Sequence, residues 1–419
     1  MPGGGTKLDT IPNSSKPICL DITRLLSRTG QVHTGVDRVE WAYLEWCLGL
    51  DRPVYGLLRS AFGYILLDRA GLSFFHNHLR SGQWGTPDLL SRFARKLSPV
   101  RRAAETALRK QAIARATPSR LAKMLRKQFP GGVLYLNTGH SNLTRRVFGA
   151  FKSLLHSKSV VLIHDMIPLD WPEYQRQGTV GKFEKRMRVV SELADALICN
   201  SHQTLEDAAR HMTGFGRMPE AIVAHLGVDV PLLEDVSLPK VPRPYVITVG
   251  TIEPRKNHAF LLDLWEDWAK DLDNPPPTLV ICGNRGWNNE AVFARLDAAK
   301  LDGLPVLELN GLGDAEMMGL LKGADGALFP SFAEGFGLPQ VEALSLGTPV
   351  ICSDLAIYRE VLGDFPVYVE DSNAYVWRTE IEKLLQKDGI DRGRVGNDRA
   401  PYTPPQWNAH FNLVLKHFG

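Results

Sequence analysis

The sequence contains no segment that resembles a membrane anchor or an export signal. No apolar run approaches the ~18 residues that a helix needs to cross a bilayer. Residues 1–17 are rich in Gly, Pro, Ser and Asn and lack the apolar core of a signal peptide, so we predict a disordered tail. The five cysteines include no C-x-x-C pair, which favours free core thiols in a reducing compartment. We therefore expect a cytoplasmic protein.

Motifs for common cofactors are also missing. Gly30 and Gly35 have the spacing of a P-loop, but Val36 and Asp37 stand where Lys and Ser or Thr would follow. No G-x-G-x-x-G follows the first predicted strand, which counts against a dinucleotide-dependent enzyme. No His/Cys cluster has zinc spacing, and the D-x-D at residues 271–273 lies away from every other motif. We expect neither a metal nor an organic cofactor.

The chain does contain a regular alternation of short apolar runs and helical patterns. Many of the apolar runs are continuous, as strands need to be when helices cover both faces of a parallel sheet. The ten predicted strands are Ile18–Ile22, Val133–Asn137, Val160–His164, Ala196–Asn200, Ala221–His225, Tyr245–Val249, Thr278–Cys282, Val306–Leu309, Gly326–Phe329 and Pro349–Ser353. Because 419 residues exceed one ordinary core, we predict an α/β protein with two doubly wound parallel sheets.

The predicted domain boundary lies in a stretch without helical periodicity. Residues 231–244 contain four prolines and are typical of a linker. The first domain is predicted to span residues 18–236 and the second residues 237–403. Residues 404–419 are predicted to form an amphipathic helix that crosses back to the first domain.

One segment is strongly basic, although the overall net charge is only +3. Residues 91–130 contain twelve Lys or Arg and a single acid, Glu105, with apolar residues at roughly helical spacing. Such a basic helical insertion can lie on an anionic lipid surface. A solvated helical face with ordinary charge is the alternative. Nucleic-acid binding is disfavoured because no aromatic stacking pattern accompanies the charge.

The strongest signal for chemistry lies in residues 330–343, P-S-F-A-E-G-F-G-L-P-Q-V-E-A, between a predicted strand and a predicted helix. Its two carboxylates, Glu334 and Glu342, are separated by seven residues. Gly335 and Gly337 let backbone N–H groups approach a ligand closely, and a helix N-terminus favours an anion. Glu334 lies in the loop, where a sugar could contact it. Glu342 lies in the helix, where it could accept hydrogen bonds from a ribose.

This segment, together with the G-T-P-V-I that follows it, resembles the signature of retaining glycosyltransferases of family GT4, whose motif is E-x7-E. The resemblance runs from about Ile18 to Phe418 and is dense in the second half. It is nearest to bacterial mannosyltransferase-like members. It implies the GT-B fold, in which two Rossmann-like domains face each other across a cleft. It also implies that a hexose is transferred with retention of configuration and without a metal.

Other segments resemble the parts of this family that bind the donor. Residues 249–257, V-G-T-I-E-P-R-K-N, resemble a loop with cations for the donor pyrophosphate, and Arg and Lys both suit phosphate oxygens. Residues 281–287 resemble a loop near the nucleotide, residues 310–316 a turn that binds the base, and residues 29–38 a Gly-rich loop beside the donor phosphate. The implied donor-binding residues are Gly35, Arg255, Lys256, Asn284, Gly311, Leu312, Gly335, Phe336, Gly337, Leu338 and Glu342.

A histidine–aspartate pair follows one of the predicted strands, where parallel strands open into a cleft. The segment V-L-I-H-D-M-I-P resembles an H-D-x-I-P motif common among relatives assigned as mannosyltransferases. The resemblance implies that His164 hydrogen-bonds the donor sugar and that Asp165 orients it; a buried, satisfied histidine is the alternative. With Glu334 they form the predicted catalytic group. His140 and Arg38 are predicted to lie on the acceptor side.

The sequence thus predicts a hexosyltransferase whose favoured donor is GDP-mannose and whose acceptor is a hydroxyl of a glycan or a lipid-linked molecule. Such an enzyme would serve surface polysaccharide or glycolipid synthesis, with peripheral contact to an anionic membrane surface on the cytoplasmic face of the inner membrane. The alternatives are a non-catalytic homologue that binds a nucleotide sugar and an epimerase with the same architecture. The presence of Glu334, Lys256 and the glycine turn favours the transferase.

Overall fold

The computed structural model describes residues 16–229, 236–370, 372–386 and 401–419. Within these ranges the chain forms an eight-stranded and a six-stranded sheet. The strands of the first sheet are β1 (Ile18–Asp21), β2 (Val54–Ser60), β3 (Gly63–Leu67), β4 (Ala114–Ala116), β5 (Leu134–Asn137), β6 (Lys158–Ile163), β7 (Ala196–Cys199) and β8 (Glu220–Val223). Those of the second are β9 (Tyr245–Val249), β10 (Thr278–Cys282), β11 (Val306–Leu309), β12 (Gly326–Phe329), β13 (Val350–Ser353) and β14 (Val367–Val369). All ten predicted strands are present, with small shifts at their ends.

The two sheets differ in strand direction. The second sheet has the order β11-β10-β9-β12-β13-β14 and is parallel throughout. The first has the order β4-β3-β2-β1-β5-β6-β7-β8, and β3 and β4 pair antiparallel with their neighbours. The two parallel sheets that we predicted are therefore present, and the first carries two further strands, β3 and β4, that are antiparallel. Only residues 61 and 62 separate β2 from β3, and so short a connection can join antiparallel strands but not parallel ones.

Helices connect the strands in both halves. Those before β9 are α1 (Thr23–Ser27), α2 (Gly35–Gly49), α3 (Arg69–Ser81), α4 (Pro99–Lys110), α5 (Leu121–Gln128), α6 (Arg145–Lys152), α7 (Ile167–Asp170), α8 (Thr179–Leu193) and α9 (His202–Gly214). Those after it are α10 (His258–Trp268), α11 (Glu290–Asp302), α12 (Asp314–Gly323), α13 (Leu338–Ser345), α14 (Ala356–Leu362), α15 (Ala374–Leu385) and α16 (Trp407–Phe418). Short 3-10 turns occupy Leu90–Phe93, Pro118–Arg120, Pro172–Tyr174 and Pro254–Lys256. We call β1–β8 with α1–α9 the first unit and β9–β14 with α10–α15 the second unit.

Polar side chains fix where several helices begin. Asp68 accepts a hydrogen bond from the Gly71 amide at 2.9 Å at the start of α3. Ser98 caps α4 ahead of a proline in its first turn, and Ser201 caps α9. Such caps satisfy backbone N–H groups that the first turn leaves unpaired. Local sequence therefore sets the helix starts, while burial of the apolar faces holds the helices on the sheets.

The interior of each sheet is apolar on both faces. In β1, Ile18 and Leu20 belong to one buried cluster and Cys19 belongs to another, so alternate side chains enter separate cores. In the second unit Trp265 and Trp268 are fully buried among the helices that cover the sheet. All five cysteines are buried and free, which confirms their interpretation as core thiols.

The basic segment, which we predicted as a helical insertion, is helical only in part. It contains α4, the short strand β4 and α5 in succession. The apolar side of α4 packs through Leu108 into the core, and the apolar side of α5 does so through Leu121 and Leu125. The single acid, Glu105, is buried and accepts a hydrogen bond from Arg101 at 3.2 Å. The apolar faces of both helices therefore cover the first sheet and are not free to enter a lipid surface.

The C-terminal helix α16 packs on the first unit. His410 Nε2 lies 2.7 Å from the Tyr43 hydroxyl, and Phe411 stacks on Trp46 with ring centroids 4.6 Å apart. Among the described residues, no helix is both long and apolar enough to cross a membrane. The predicted tail up to residue 15, the first part of the predicted linker (residues 231–235), and residues 230, 371 and 387–400 lie outside the described ranges.

Candidate active site

Each sheet reverses its strand order beside its first strand. β1 lies between β2 and β5, and β9 lies between β10 and β12. In open α/β sheets such a reversal leaves a crevice at the carboxyl ends of the strands, because the loops there diverge. The loops after β9 and β12 carry Lys256 and Glu334, whereas those after β1, β5 and β6 carry Gly35, His140 and His164. Most of the predicted site residues therefore lie at the two crevices.

Glu334 lies between two cations of its own unit. Arg255 Nη1 donates to Glu334 Oε2 at 2.8 Å, and the Lys256 ammonium donates to Oε1. The Ser331 hydroxyl also donates to Glu334 Oε1, at 2.8 Å. A second acid, Glu253, pairs with Arg255 at 2.7 Å. These five residues, which we call the Glu334 cluster, join the loop after β9 to the loop after β12.

The charges of this cluster decide the protonation state of Glu334. Burial alone would raise the pKa of Glu334, but the attraction of Lys256 and Arg255 outweighs burial and lowers the pKa to about 2. Burial lowers the pKa of Lys256 despite the opposing attraction of Glu334. Glu334 is therefore ionised near neutral pH and accepts hydrogen bonds. A proton donor or base needs a pKa closer to the working pH, so this carboxylate is suited to holding cations and sugar hydroxyls instead.

Two glycines let the loop after β12 turn tightly and approach the first unit. Gly337 has φ +87, and a Cβ there would lie 3.0 Å from a ring carbon of Tyr358. A Cβ on Gly335 would lie 3.1 Å from Asp165 Oδ2 and 3.1 Å from the carbonyl oxygen of His164. The backbone beside Glu334 therefore meets the predicted His–Asp pair across the gap between the units.

In the His–Asp pair, His164 is buried and neutral, and Asp165 is partly buried. His164 is 7% exposed, and its Nε2 lies 2.6 Å from the carbonyl oxygen of Thr138. Because a carbonyl only accepts, Nε2 carries the proton and Nδ1 remains an acceptor. Burial lowers the pKa of His164 to about 4. Burial also raises the pKa of Asp165 to about 6, against the attraction of Arg255.

His140 lies in a strained loop beside this pair. His140 and Asn142 have φ values of 54 and 58, in the left-handed region. His140 Nε2 donates to the carbonyl of Leu162 at 2.8 Å, and its ring centroid lies 5.0 Å from that of His164. Burial and the neighbouring His164 lower the pKa of His140 to about 3. These contacts favour a supporting role for His140 over the predicted contact with an acceptor.

Arg38 pairs with a carboxylate that we predicted for the donor. Arg38 Nη1 lies 2.5 Å from Glu342 Oε1, and the Glu342 side chain is almost fully buried. Burial raises the pKa of Glu342, against the attraction of Arg38. A Cβ on Gly35 would lie 3.3 Å from Leu338 Cδ1. Gly35 of the first unit thus lies close to Leu338 of the second unit, and Arg38, which we predicted for the acceptor side, contacts Glu342, which we predicted for the donor.

The predicted base-binding residues lie further along the second sheet. Asn284 follows β10, which pairs with β9, and Gly311 and Leu312 follow β11 at the sheet edge. Asn284 and Gly311 are exposed, and Gly311 has φ +69. The two loops are neighbours because Gly283 N donates to the carbonyl of Leu309 at 2.9 Å. They form one open rim, one and two strands away from β9.

An aromatic contact between the units was missed in the sequence. Tyr174 stacks on Phe332, with ring centroids 5.7 Å apart. Trp287 Nε1 donates to the carbonyl of Tyr174 at 2.8 Å, and the Arg176 guanidinium lies 4.6 Å from the Trp287 ring centroid. Phe332 and Trp287 both lie in loops after predicted strands, and this position was the available signal for them.

A second missed contact involves Glu360 of α14. Its carboxylate accepts from the backbone N–H groups of His202 at 2.7 Å and Gln203 at 3.1 Å, at the start of α9 in the other unit. His225 Nε2 lies 2.8 Å from the same carboxylate, and its ring centroid lies 6.1 Å from that of Phe336. An acidic side chain of the second unit thus caps a helix of the first.

Asn200, at the carboxyl end of β7, links the same two regions. Its side-chain amide donates to the carbonyl of His164 at 2.8 Å and to that of Gly335 at 3.4 Å. Asn200 was missed as a site residue; it is the last residue of a predicted strand, and this position was the available signal. Asn200 therefore holds the loop beside Glu334 against the His–Asp pair.

A cavity of about 580 Å³ near Arg52 lies away from these groups, but a second cavity opens beside Arg38. This second cavity has a volume of about 520 Å³ and lies between the two units. Trp41, Asp314 and Leu338 are among the residues that line it. Nucleotide-sized ligands commonly occupy clefts of this volume at domain interfaces.

In the described ranges, no group of three or more His, Cys, Asp or Glu side chains could hold a metal ion.

Comparison with known proteins identifies the class of the second unit. Residues 231–398 match the model of the family described as glycosyl transferases group 1. The chain is 29% identical over 228 residues to the serotype-specific mannosyltransferase WbdA of Escherichia coli, which is 49% of this chain and 27% of WbdA. It is 26% identical over 240 residues to the O-antigen chain mannosyltransferase B of Escherichia coli, which is 55% of this chain and 62% of that protein. The matched region thus spans less than two thirds of either relative.

Solved structures identify the fold. The structure of Anabaena Alr3699/HepE in complex with UDP-glucose has a TM-score of 0.56 and 13% identity, and the match covers 96% of this chain and 95% of that chain. An Escherichia coli structure described as trehalose-6-phosphate bound with UDP-2-fluoro glucose has a TM-score of 0.54 and 12% identity, with coverages of 90% and 93%. At such identities the likeness concerns the fold alone.

The paired Rossmann-like sheets and these neighbours define a GT-B protein, as predicted. More particularly, residues 231–398 are similar to the group 1 glycosyltransferases. The assignment to GT4 and the roles of the individual site residues stay predictions.

Proposed function

We propose that this chain is a retaining glycosyltransferase that moves a hexose from a nucleoside diphosphate sugar to a hydroxyl of a glycan or lipid-linked acceptor. The observation that carries the proposal is the Glu334 cluster. It places an ionised carboxylate and two cations at the crevice of a group 1 domain, against His164 and Asp165 of the other unit. Cytoplasmic surface polysaccharide or glycolipid synthesis is the process that would use such an activity.

The cations are assigned to the donor diphosphate. Arg255 offers a planar fork and Lys256 a point charge, and both suit phosphate oxygens. Negative charge grows on the leaving diphosphate as the sugar departs, and buried cations stabilise that charge without any rearrangement of solvent. When the donor binds, Arg255 and Lys256 would therefore contact the diphosphate as well as Glu334.

The remaining donor groups extend from the cluster towards the rim. Glu342 is assigned to the ribose hydroxyls, and Gly311 and Leu312 to the nucleobase. The cavity beside Arg38 and Leu338 is assigned to the nucleoside end, because Arg38, which lines it, also pairs with Glu342. In the structure Arg38 forms an ion pair with the Glu342 carboxylate. When a ribose binds, Arg38 must either move away from this carboxylate or contact it together with the ribose hydroxyls.

The proposed reaction takes place on one face of the sugar. The bond between the anomeric carbon and the diphosphate oxygen breaks, and its electron pair leaves with the diphosphate. The acceptor oxygen bonds to the same face of that carbon, and its proton passes to the departing phosphate oxygen. Glu334 and the neutral His164 accept hydrogen bonds from sugar hydroxyls and hold the ring for this step, so the products are a nucleoside diphosphate and a glycoside of unchanged configuration.

Mannose is the proposed sugar and GDP-mannose the proposed donor. The support is twofold: the sequence resembles the H-D-x-I-P motif at His164, and the two Escherichia coli relatives described above are named as mannosyltransferases. A thermal-shift panel of GDP-mannose, UDP-glucose, ADP-glucose and dTDP-glucose tests this choice. Stabilisation is expected from GDP-mannose first, because a ligand that binds only the folded state raises its melting temperature. A larger shift with another sugar nucleotide would replace the donor, and no shift with any of them would contradict the function.

We also propose that the reaction needs no divalent metal, since Arg255 and Lys256 supply the positive charge beside the leaving group. Turnover should be unchanged in excess EDTA. A loss of activity that Mg²⁺ or Mn²⁺ restores would contradict this assignment.

A further inference from the structure

A short turn in the first unit exposes large apolar side chains. The turn comprises residues 88–97 and precedes α4; we call it the apolar turn. Leu89 is 72% exposed and Phe93 is 79% exposed, and Leu90 between them is 43% exposed. Single exposed apolar residues are ordinary, but several on one turn are typical of an interaction site.

Hydrogen bonds to buried side chains of α4 hold the apolar turn in place. Asp88 Oδ1 accepts from the Ser91 backbone N–H at 2.8 Å and from Arg109 Nη2 at 2.8 Å. The Ser91 hydroxyl lies 2.6 Å from that of Thr106 and 2.6 Å from Arg109 Nη2. Ser91 is 1% exposed and Arg109 is 8% exposed. Hydrogen bonds thus fix the buried side of the turn, and the apolar side chains on its other side are exposed to solvent.

Cations surround the apolar side chains without nearby compensation. Arg92, Arg95 and Lys96 are exposed, and in the described part of the chain none of them is joined to an acid by an ion pair. The two acids nearest in sequence are already engaged, because Asp88 binds Arg109 and Glu105 binds Arg101. The surface therefore combines apolar side chains with unneutralised positive charge.

The apolar turn lies close to the loop that reaches the second unit. Val100, at the start of α4, is 40% exposed, and its Cγ1 lies 3.5 Å from where a Cβ on Gly30 would be. The same loop continues through Val32, which is 50% exposed, to Gly35, which contacts the second unit. A surface bound by the apolar turn would thus lie beside the mouth of the gap between the units.

We propose that the apolar turn docks on the surface of an anionic lipid bilayer, with Leu89, Leu90 and Phe93 at the boundary between headgroups and acyl chains. Apolar side chains at the centre and cations around them match the layered chemistry of such a surface. A second copy of the chain is a poorer occupant, because each copy would bring the same three cations to the contact. Docking itself does not depend on the proposed function. Only its purpose does, which is to bring the gap between the units to a lipid-borne acceptor.

Vesicle co-sedimentation of the full chain tests the proposal. Vesicles of phosphatidylcholine mixed with phosphatidylglycerol should bind the protein at low salt, and vesicles of phosphatidylcholine alone should bind it more weakly. The Leu89→Ser/Phe93→Ser variant should lose at least about tenfold in binding, because it removes apolar area from the bilayer contact. The matched control is Leu272→Ser/Leu301→Ser in the second unit, where the replaced leucines are 88% and 86% exposed. This control should bind vesicles as well as the unaltered chain.

The charges are tested separately. Arg92→Gln/Arg95→Gln/Lys96→Gln should weaken binding to anionic vesicles by about tenfold or more and flatten its salt dependence. The control is Lys123→Gln/Arg126→Gln/Lys127→Gln, which removes three exposed cations from α5. Equal loss in both triple variants would overturn the assignment to the apolar turn.

Other outcomes identify other occupants. Binding to neither vesicle, or equal binding to both, would overturn the proposal. Self-association that Leu89→Ser/Phe93→Ser abolishes would assign the turn to a second copy, and salt-sensitive binding to RNA in place of vesicles would assign the cations to nucleic acid. Turnover of GDP-mannose without vesicles should be the same in the turn variants and the unaltered chain. Loss of vesicle binding with unchanged turnover would therefore contradict docking alone. Vesicle binding without any turnover would contradict the proposed function alone.

Discussion

The two carboxylates of the glycine turn and the following helix lie in different electrostatic surroundings. Glu334 is held by Arg255, Lys256 and Ser331, all of the second unit. Glu342 is held by Arg38, a residue of the first unit. Neighbouring cations lower the pKa of Glu334 to about 2, whereas burial raises the pKa of Glu342 despite its single partner.

This difference separates two tasks within one short segment. The surroundings of Glu334 do not depend on how the units approach each other, so its charge is prepared before any ligand arrives. The partner of Glu342 is present only while the units are together, so Glu342 links donor binding to their approach. The preorganised charge of Glu334 therefore contributes to the chemical step. The exchangeable pairing of Glu342 with Arg38 contributes to donor binding.

The sharpest test of this contrast is removal of Glu334. Glu334→Ala should lower turnover by at least about 100-fold, or about 2.7 kcal/mol of transition-state stabilisation, because it removes the acceptor between the two cations. Steady-state kinetics with GDP-mannose measure it. Glu342→Ala should mainly raise the Michaelis constant for the donor. Turnover of Glu334→Ala within tenfold of the unaltered enzyme would remove Glu334 from the catalytic group.

Loss of one cation from the Glu334 cluster should be the next largest effect. Lys256→Ala should weaken donor affinity by about tenfold or more, because a hydrogen bond from a charged donor is worth roughly 1.5–3 kcal/mol. Calorimetry with GDP-mannose measures the affinity. Arg295→Ala is the control, since Arg295 forms its ion pairs with Asp263 and Glu266 on the surface of the same unit. An unchanged affinity in Lys256→Ala would contradict the diphosphate role.

The pair between the units should matter less for chemistry and more for closure. Arg38→Ala leaves the Glu342 carboxylate buried without its partner, which costs stability and favours separation of the units. We expect a larger radius of gyration in small-angle X-ray scattering and a melting temperature lower by about 2 °C or more. Adding Glu342→Gln should recover much of that loss, because it removes the unpaired charge. Strictly additive effects of the two substitutions would show that the pair is not coupled.

The smallest expected effect concerns pH. The pKa of His164 is about 4 in the folded chain and 6.5 without burial, so the unfolded chain binds the extra proton first as pH falls. Stability from this group is complete above pH 6.5 and is lost as pH falls towards 4. His164→Asn should make the decline of the unfolding free energy in this window shallower, by about 1 kcal/mol per pH unit. Denaturant titrations at several pH values measure this slope, and the exposed His417→Asn is the control; an identical slope in both variants would contradict the account.

Local pattern predicted much of the fold because buried parallel strands carry continuous apolar runs. It did not predict β4 at Ala114–Ala116, because its residues, two alanines and an arginine, have no strand preference of their own. That strand exists because β3 offers an unpaired edge, with Ile65 opposite Arg115. The apolar residues of the basic segment were likewise assigned to lipid, since a sequence does not say which surface an amphipathic face will cover.

The same limit applies to the site. Glu334, Arg255 and Lys256 follow strands that are neighbours in one sheet, so their meeting was implied by topology and motif together. The pairing of Arg38 with Glu342 depends on how two separately folded units approach each other, and nothing local to either residue encodes it. The role of Tyr174 between the units was missed for that reason too.

The most direct test of the central claim is release of GDP from GDP-mannose, followed with and without a glycan or glycolipid acceptor. We expect that an acceptor accelerates release, that NMR shows the mannose in a product with its α configuration retained, and that Glu334→Gln abolishes both. Release that ignores the acceptor, or that persists unchanged in Glu334→Gln, would contradict it.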